Sequence, residues 1–186
     1  IKAIKLAEDE ALVGARITSG GDELLMATNG GKAIRFPEPE VRVMGRTAHG
    51  VRGIDMTDGD RLIALQVVQE GWEVLTVTEN GYGKRTPLEE YRVQGRGGQG
   101  ILTTKLSERN GEVVSVRLVR PENEVMLVTS QGTLIRTPVD GISLLSRNTQ
   151  GVRLIDLAED EQVVGAERVE ESNEEASEGA AEAGDE

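Results

Sequence analysis

Seven consecutive residues, Gln94 to Gly100, combine four glycines with one arginine in the order QGRGGQG. Glycine lets a backbone turn tightly and approach a ligand closely, and the arginine guanidinium binds phosphate groups through several N–H donors. The chemistry that this segment favours is therefore the binding of a phosphate-bearing ligand. Two hypotheses follow, a dinucleotide site and a contact with a nucleic-acid backbone.

The dinucleotide hypothesis depends on Gly95, Gly97 and Gly100, which fit the spacing G-x-G-x-x-G. That motif binds a pyrophosphate only where it follows a strand and opens a helix. Here the next residues, 101–107, have the pattern of a strand and lead to an Asn110-Gly111 turn. The sequence context therefore argues against a dinucleotide site.

Residues for catalysis or metal binding are scarce. The chain has no cysteine, and His49 is its single histidine. Because no second histidine or thiolate can join His49, we interpret it as a polar loop residue or a weak phosphate contact. Tyr82 and Tyr91 have no base or metal cluster beside them in the sequence. We therefore predict that this chain has no catalytic residue, no metal site and no cofactor of its own.

Three acidic turns could suggest calcium binding, but they share one position in a repeat. These turns are Glu8 to Glu10, Asp58 to Asp60 and Glu159 to Glu161. None has the spacing of a calcium-binding loop. Their recurrence favours solvated turns.

The arginine of QGRGGQG belongs to an internal repeat of about 50 residues. The copies begin at Glu23, Glu73 and Glu124. An arginine falls twelve positions after each glutamate, a proline fourteen and a glycine twenty-seven positions after it. In the same register Arg96 corresponds to Arg46 and Arg147. Residues 1–15 match 152–166 at nine of fifteen positions, so we expect the chain to begin within a repeat.

Each copy is predicted to form four short strands and no amphipathic helix. Aliphatic and β-branched runs before Asn-Gly or Gln-Gly turns indicate a hairpin, followed by a loop of about a dozen residues that ends in the shared glycine. The predicted first strands are Leu24–Thr28, Val74–Thr78 and Val125–Thr129; the third are Val51–Met56, Ile101–Leu106 and Val152–Leu157; the fourth are Leu62–Val67, Val113–Leu118 and Val163–Glu167.

Four strands per repeat are typical of propeller blades, which bury their faces against neighbouring blades. We therefore predict an all-β, propeller-like array of four-stranded blades that is truncated. The predicted units are the C-terminal part of a preceding blade at 1–22, blades at 23–72 and 73–123, a last blade at 124–169, and a disordered acidic tail at 170–186.

Charge is distributed very unevenly along the chain, whose net formal charge is −12. Residues 167–186 contain nine acids and one arginine and almost no large apolar residue, a composition that predicts disorder. In contrast, the segments 32–52, 82–102 and 133–153 together hold twelve basic and five acidic residues. Stacked blades would place these basic segments along one rim.

A periodic cationic rim favours a polyanion of regular geometry, because phosphate contacts give affinity without reading bases. Aromatic residues that could stack unpaired bases are few and fall at unrelated repeat positions, so the preferred ligand is duplex DNA. Two alternatives remain open. The arginines could only keep strand edges soluble, or the array could be a protein-interaction platform without a role in DNA binding.

Several segments resemble the C-terminal domain of the A subunit of DNA gyrase. They are Gly50-Val-Arg-Gly-Ile54, Glu79-Asn-Gly-Tyr-Gly-Lys-Arg-Thr86, Gln94 to Gly100, and Arg147-Asn-Thr-Gln-Gly-Val152. The resemblance implies a six-bladed β-pinwheel with strands exchanged between neighbours and a basic perimeter that wraps DNA. It also implies a bacterial, cytoplasmic, nucleoid-associated protein whose partners are duplex DNA, the catalytic region of the gyrase A subunit, and the gyrase B subunit. ATP and Mg²⁺ would act in that holoenzyme during negative supercoiling. The related subunit of topoisomerase IV is the second interpretation.

The resemblance also ranks the site residues. The family's box, Gln-Arg-Arg-Gly-Gly-Lys-Gly, normally lies on the first blade, and here a later blade carries a similar loop in which Gly95 and Gln99 replace an arginine and the lysine. This box-like loop comprises Gln94, Gly95, Arg96, Gly97, Gly98, Gln99 and Gly100. The predicted DNA contacts are Arg35, Arg46, Lys84, Arg85, Arg96, Arg136 and Arg147, with Arg42, Arg92 and Arg153 as weaker candidates. A further hypothesis is that the acidic tail competes with DNA for the rim.

Overall fold

The computed structural model describes residues 3–169, which form short antiparallel strands and three single 3₁₀ turns. The predicted acidic tail, 170–186, lies outside the described residues. The strands are β1 (Glu23–Thr28), β2 (Lys32–Pro37), β3 (Leu62–Val67), β4 (Glu73–Thr78), β5 (Tyr82–Pro87), β6 (Ile101–Leu102), β7 (Val113–Val119), β8 (Glu124–Thr129), β9 (Leu134–Pro138), β10 (Val152–Arg153) and β11 (Val163–Val169). The 3₁₀ turns are Glu38–Glu40, Leu88–Glu90 and Val139–Gly141.

Three sheets, which we call the first, middle and last blades, contain these strands. Their orders are β3-β1-β2-β6, β10-β5-β4-β7 and β11-β8-β9. Strands β6 and β10 come from the repeat that follows the blade they complete: Ile101 pairs with Ala33, and Val152 pairs with Gly83. The all-β fold with exchanged strands is thus confirmed. The prediction that each repeat keeps its third strand was wrong, because the hydrogen-bonding partner of that strand is the preceding hairpin.

The predicted strand Val51–Met56 does not form. Its counterparts β6 and β10 each form a strand by pairing with a hairpin of the preceding repeat. Residues 3–22 contain no strand with which Val51–Met56 could pair. Ile54 is nevertheless buried against Ile34 and Phe36 in the first blade. Apolar packing therefore places this segment, while the ladder hydrogen bonds that define a strand are missing.

Each hairpin closes at a glycine of positive φ. The amide nitrogens of Gly31, Gly81 and Gly132 donate to the carbonyls of Thr28, Thr78 and Thr129 over 3.0–3.1 Å. Their φ angles are +77°, +79° and +85°, which glycine adopts without the steric cost that a side chain would add. The turn signals seen in the sequence therefore set the hairpins locally.

The blades stand side by side in the order of the chain. Strand β7 packs against both β3 and β11, and these three strands are the end strands of their sheets. We call this the inner side and call the opposite edges, where β6 and β10 lie, the outer side. Between the middle and last blades the core is aliphatic, with Leu75, Val119, Leu127 and Val139 buried together. The basic loops that precede β6 and β10 lead to the outer side.

Candidate nucleic-acid interface

The rim loops, which we define as residues 41–49, 91–99 and 142–150, are held by backbone contacts with the preceding repeat. The Gly97 nitrogen donates to the Gly53 carbonyl (2.7 Å), and the Asp55 nitrogen donates to the Gly98 carbonyl (2.8 Å). In the next repeat the Lys105 nitrogen donates to the Thr149 carbonyl (3.0 Å). These bonds fix the loops against the outer edge of the array.

The glycine that follows each of the two later loops, 91–99 and 142–150, makes a close backbone contact within the protein. Gly100 has a φ of +70°, and a Cβ there would lie 2.6 Å from the Ala33 oxygen. Gly151 has a φ of +81°, and a Cβ there would lie 2.6 Å from the Gly83 oxygen. These two glycines allow the exchanged strands to approach the hairpins. Gly95, with no atom near its Cβ position, is the open part of the box-like loop.

Arg96 and Arg147 anchor their loops. The Arg96 guanidinium donates to the carbonyls of Arg52 and Glu40, and the Arg147 guanidinium donates to the Leu102 carbonyl. Each backbone nitrogen also donates to a glutamate of a 3₁₀ turn, Arg96 to Glu40 (2.6 Å) and Arg147 to Glu90 (3.0 Å). Both arginines lie on the loops as the register predicted, but their charged groups bind the protein.

The arginine twelve positions after each leading glutamate has a structural role. Arg85 forms an ion pair with Glu73 (2.7 Å) and donates to the carbonyls of Ile142 and Asp140 in the next repeat. Its side chain is only 10% exposed, so this geometry does not favour the contact with DNA that was predicted for Arg85. The Arg85 guanidinium is occupied by Glu73 and by two carbonyls of the next repeat.

Arg35 makes the equivalent contacts one blade earlier. It pairs with Glu23 (2.5 Å) and donates to the carbonyls of Leu88 and Tyr91. Each of these arginines therefore joins its own blade to the next one. Arg136, their counterpart in the last blade, binds only Glu124 among the described residues and is 58% exposed.

Lys84 is also withdrawn from solvent, with 1% of its surface exposed. Its ammonium group donates to the carbonyls of Ser146 (2.7 Å), Arg147 (2.6 Å) and Thr149 (3.1 Å), and to the Thr149 hydroxyl (3.1 Å). Burial lowers the pKa of Lys84 to about 8; Glu90 opposes this shift and Arg147 adds to it. The predicted contact of Lys84 with DNA stays a prediction that this arrangement does not favour, because all its donors are occupied inside the rim loop 142–150.

The exposed cations include all three weaker candidates from the sequence. Arg42, Arg46 and Arg92 lie on rim loops, and in the part of the chain that the structure describes their side chains make no hydrogen bond or ion pair. Arg153 is exposed on β10, where it pairs with Asp156 (2.7 Å) and donates to the Tyr82 hydroxyl (3.1 Å). Arg42, Arg46 and Arg92 are therefore the predicted residues best placed to meet an external anion.

Lys105 and Arg109 were missed as candidates. In the first and last repeats, Arg52 and Arg153 each form an ion pair with the aspartate three residues later. At the same positions of the middle repeat, Leu102 replaces the arginine and Lys105 replaces the aspartate. Lys105 is exposed without a side-chain partner among residues 3–169. The repeat register could have shown this replacement of an acid by a base. Arg109, which lies over the Tyr82 ring at 4.7 Å, had no such signal.

The remaining titratable candidates have structural surroundings. The Tyr91 hydroxyl contacts the Thr103 hydroxyl (2.5 Å), and burial raises the pKa of Tyr91 to about 12. Asp60 and Glu161 accept hydrogen bonds from the backbone three residues earlier, as expected of acidic turns. Residues 3–169 contain no group of three or more His, Cys, Asp or Glu that could hold a metal ion. Within that range no helix is long and apolar enough to span a membrane.

A family profile described as "DNA gyrase C-terminal domain, beta-propeller" matches residues 1–19, 22–69, 73–120 and 123–170. The A subunit of DNA gyrase from Halalkalibacterium halodurans is 59% identical over 167 residues, 90% of this chain and 20% of that protein. The A subunit of DNA gyrase from Pseudomonas aeruginosa is 45% identical over 169 residues, 91% of this chain and 18% of that protein. The chain therefore spans about a fifth of the length of these curated relatives.

Solved structures resemble the chain in the same way. A structure described as DNA gyrase A C-terminal domain aligns with a TM-score of 0.83 at 26% identity, covering 89% of this chain and 57% of that chain. A C-terminal domain of DNA topoisomerase IV aligns with a TM-score of 0.86 at 25% identity, covering 90% and 53% respectively. The backbone fits both, whereas the sequence is much closer to the gyrase proteins.

Proposed function

The chain belongs to the DNA gyrase C-terminal domain family, and from this premise we propose that it binds duplex DNA along its outer side as a module of the gyrase A subunit. In this role the protein bends DNA around its rim and presents it for strand passage. The sequence identity of 45–59% to gyrase proteins supports gyrase over topoisomerase IV, for which the aligned structure is 25% identical.

The observation that carries the proposal is the set of uncompensated cations on the outer side. Arg42, Arg46, Arg92 and Lys105 are exposed and have no carboxylate or carbonyl partner among the described residues. Arg42 and Arg92 occupy the same position of successive rim loops. A cation with no internal partner can exchange its counterion for a DNA phosphate, and the released counterion provides the free energy.

The surroundings of the aromatic residues support a duplex as the ligand. Trp72 lies on the inner side between the guanidinium groups of Arg120 and Arg168, at 4.8 and 4.7 Å. Tyr91 is buried, and Tyr82 lies beneath Arg109. Single-strand binders need exposed aromatic faces on which bases stack, and these three rings are already covered.

The decisive experiment measures duplex affinity over a salt series for the chain and for Arg42→Gln with Arg92→Gln. We expect weaker binding and a slope of log affinity against log salt that is less steep by about 1.8, or about 0.9 for each lost phosphate contact. The matched control is Arg61→Gln with Arg120→Gln, which removes the same charge from exposed arginines away from the rim loops. The control should keep the slope.

Two results would reject this assignment. A slope near zero for the unaltered chain would favour the protein-interaction platform, because no counterions would be released. Equal losses in the rim and control variants would mean that overall charge, and not the outer side, attracts DNA.

The holoenzyme part of the proposal extends beyond this chain. We assign ATP and Mg²⁺ to other parts of a complex that contains the catalytic region of the gyrase A subunit together with the gyrase B subunit, located with the nucleoid in the bacterial cytoplasm. The residues of this chain contribute DNA binding only. Incubating relaxed plasmid with the chain and a nicking-closing enzyme tests the wrap directly: a shift in linking number is expected, and unchanged topology would contradict wrapping.

A further inference from the structure

Exposed aliphatic side chains recur on the outer side of the array. Val93 and Leu144 are 46% and 48% exposed and lie at the same position of successive rim loops. Leu102, on the outer strand β6, is 39% exposed. Among residues 57–133, all of which the structure describes, Val93 and Leu102 are the exposed large apolar side chains. Single apolar residues scattered over a surface are common, whereas residues gathered on one side indicate a contact surface. We call Val93, Leu102 and Leu144 the apolar rim residues.

The backbone around Val93 and Leu144 is fixed. Leu144 forms a parallel β-bridge with Arg85, whose nitrogen and carbonyl bind the residues on either side of Leu144 over 3.0 and 2.8 Å. Val93 forms the same bridge with Arg35. The guanidinium groups of these two arginines also hold carbonyls of the residues before each bridge. Because the backbone is already ordered, a contact through these side chains costs little further chain entropy.

The blade edges that carry the apolar rim residues are complete. Strand β6 and the rim loop 91–99 lie along the outer edge of the first blade. Strand β10 and the rim loop 142–150 lie along the outer edge of the middle blade. The pairing along both edges is therefore satisfied, and the apolar rim residues lie on the outer surface of finished blades.

Uncompensated cations accompany the apolar rim residues. Arg92 directly precedes Val93, and Lys105 follows Leu102 by three residues; neither cation has a side-chain partner among residues 3–169. Leu102 and Val93 pair with positions of β2 that are three residues apart, which is about 10 Å along a strand. The aliphatic side chains are therefore separate points among cations and do not form one continuous apolar patch.

This mixture of cations and aliphatic points matches the backbone of a duplex better than the surface of a protein. Phosphates alternate along each DNA strand with deoxyribose rings, whose C–H groups are apolar. The core of a protein interface, in contrast, is a continuous apolar patch that is depleted of charged residues. A small anion would occupy the cations and leave the aliphatic side chains in water.

We propose, on the premise that the outer side binds duplex DNA, that the apolar rim residues pack against deoxyribose rings of the bound duplex. Contacts with the sugar do not read the base sequence, and they fix where the backbone lies on the rim. Burial of aliphatic surface releases no counterion. The contribution of these residues to affinity therefore does not weaken as salt rises, unlike the contribution of Arg42 and Arg92.

Duplex titrations over a salt series test this contact with two pairs of substitutions. Val93→Ser with Leu144→Ser removes two apolar rim residues. The matched control, Val13→Ser with Val164→Ser, removes two exposed valines that share a different repeat position. We expect the rim pair to lower the affinity about tenfold at every salt concentration, because each aliphatic side chain buries its exposed part on DNA. The salt slope should stay unchanged, and the control pair should keep both quantities.

Calorimetry at several temperatures gives a second readout. The heat-capacity change of duplex binding should be negative, and less so for the rim pair than for the control pair, because less apolar surface is buried. Equal affinities for the two pairs, equal heat-capacity changes, or a slope that flattens as expected for Arg42→Gln with Arg92→Gln would each overturn the proposal. These outcomes leave DNA binding by the rim cations intact. An unaltered chain without salt-dependent binding would instead reject that function and this contact together.

Discussion

Replacing Lys84 by methionine should make protein stability depend on pH in a defined direction. The substitution keeps the side-chain length but removes the ammonium group that binds three carbonyls of the rim loop 142–150. Burial lowers the pKa of Lys84 from 10.5 to about 8 in the folded protein. Between these two values the folded chain has lost this proton while the unfolded chain retains it. Because the unfolded state then binds more protons, the unaltered protein gains stability as pH rises.

The size of the effect follows from the two pKa values. One pKa unit corresponds to about 1.4 kcal/mol, so the full difference is about 3–4 kcal/mol. Most of this change falls between pH 8 and 10.5, so the unaltered chain should gain roughly 2–3 kcal/mol relative to Lys84→Met from about pH 7 to 10. Other titrating groups are common to both proteins and cancel in the difference.

Urea unfolding at several pH values, followed by the fluorescence of Trp72, provides the measurement. Lys105→Met, which removes an exposed ammonium group, controls for the loss of one lysine. A stability difference that is constant with pH would show that desolvation of Lys84 is not the dominant cause. If the unaltered protein instead lost stability relative to Lys84→Met as the pH rises, the carbonyls and Glu90 would stabilise the charged ammonium group by more than burial destabilises it.

Two further predictions concern the arginines and the tyrosines. Arg85→Ala should destabilise the fold by about 2–4 kcal/mol, because it leaves the partly buried Glu73 and two carbonyls of the next repeat without their partner. Arg136→Ala, at an exposed pair, should cost less than about 1 kcal/mol, and similar losses for the two variants in denaturant unfolding would contradict the inter-blade role of Arg85. Ultraviolet absorbance titration should resolve two tyrosine ionisations, because Arg109, with Arg153, lowers the pKa of Tyr82 while burial raises that of Tyr91 to about 12. The variant Arg109→Gln should shift only the earlier step upward, and a single unresolved step would contradict these surroundings.

Features carried by local sequence could be predicted well. The hairpins followed from β-branched runs that meet glycine turns, since both the strand preference and the positive φ belong to a few adjacent residues. The strand Leu62–Val67 has the predicted bounds. The observed bounds of the other first and fourth strands of the repeats differ from the predicted bounds by one or two residues. The repeat register also brought Arg46, Arg96 and Arg147 onto equivalent loops, because structural equivalence follows from sequence equivalence in a repeat protein.

The availability of a side chain could not be predicted from its type. Arg85 and Arg92 lie in the same basic segment, yet one spans two blades and the other is exposed without a described partner. Lys84 is buried although lysine is rarely so, because a loop 62 residues later supplies carbonyls for its ammonium group. These partners lie far away in the sequence, and the repeat pattern does not show which side chains they bury.

The sequence by itself therefore determined the repeat, the hairpins, the all-β class and the excess of positive charge in each unit. Only the tertiary structure decided that the third strand completes the preceding blade. Only the tertiary structure also decided that the charged groups of Arg35, Arg85 and Lys84 donate to carbonyls of the next repeat and are not free to bind a ligand. The physical reason is that turn geometry and strand preference act between neighbouring residues, whereas burial and ion pairing depend on contacts between repeats. The same exchange leaves Arg42 and Arg92 exposed on the outer side, where they can bind a ligand.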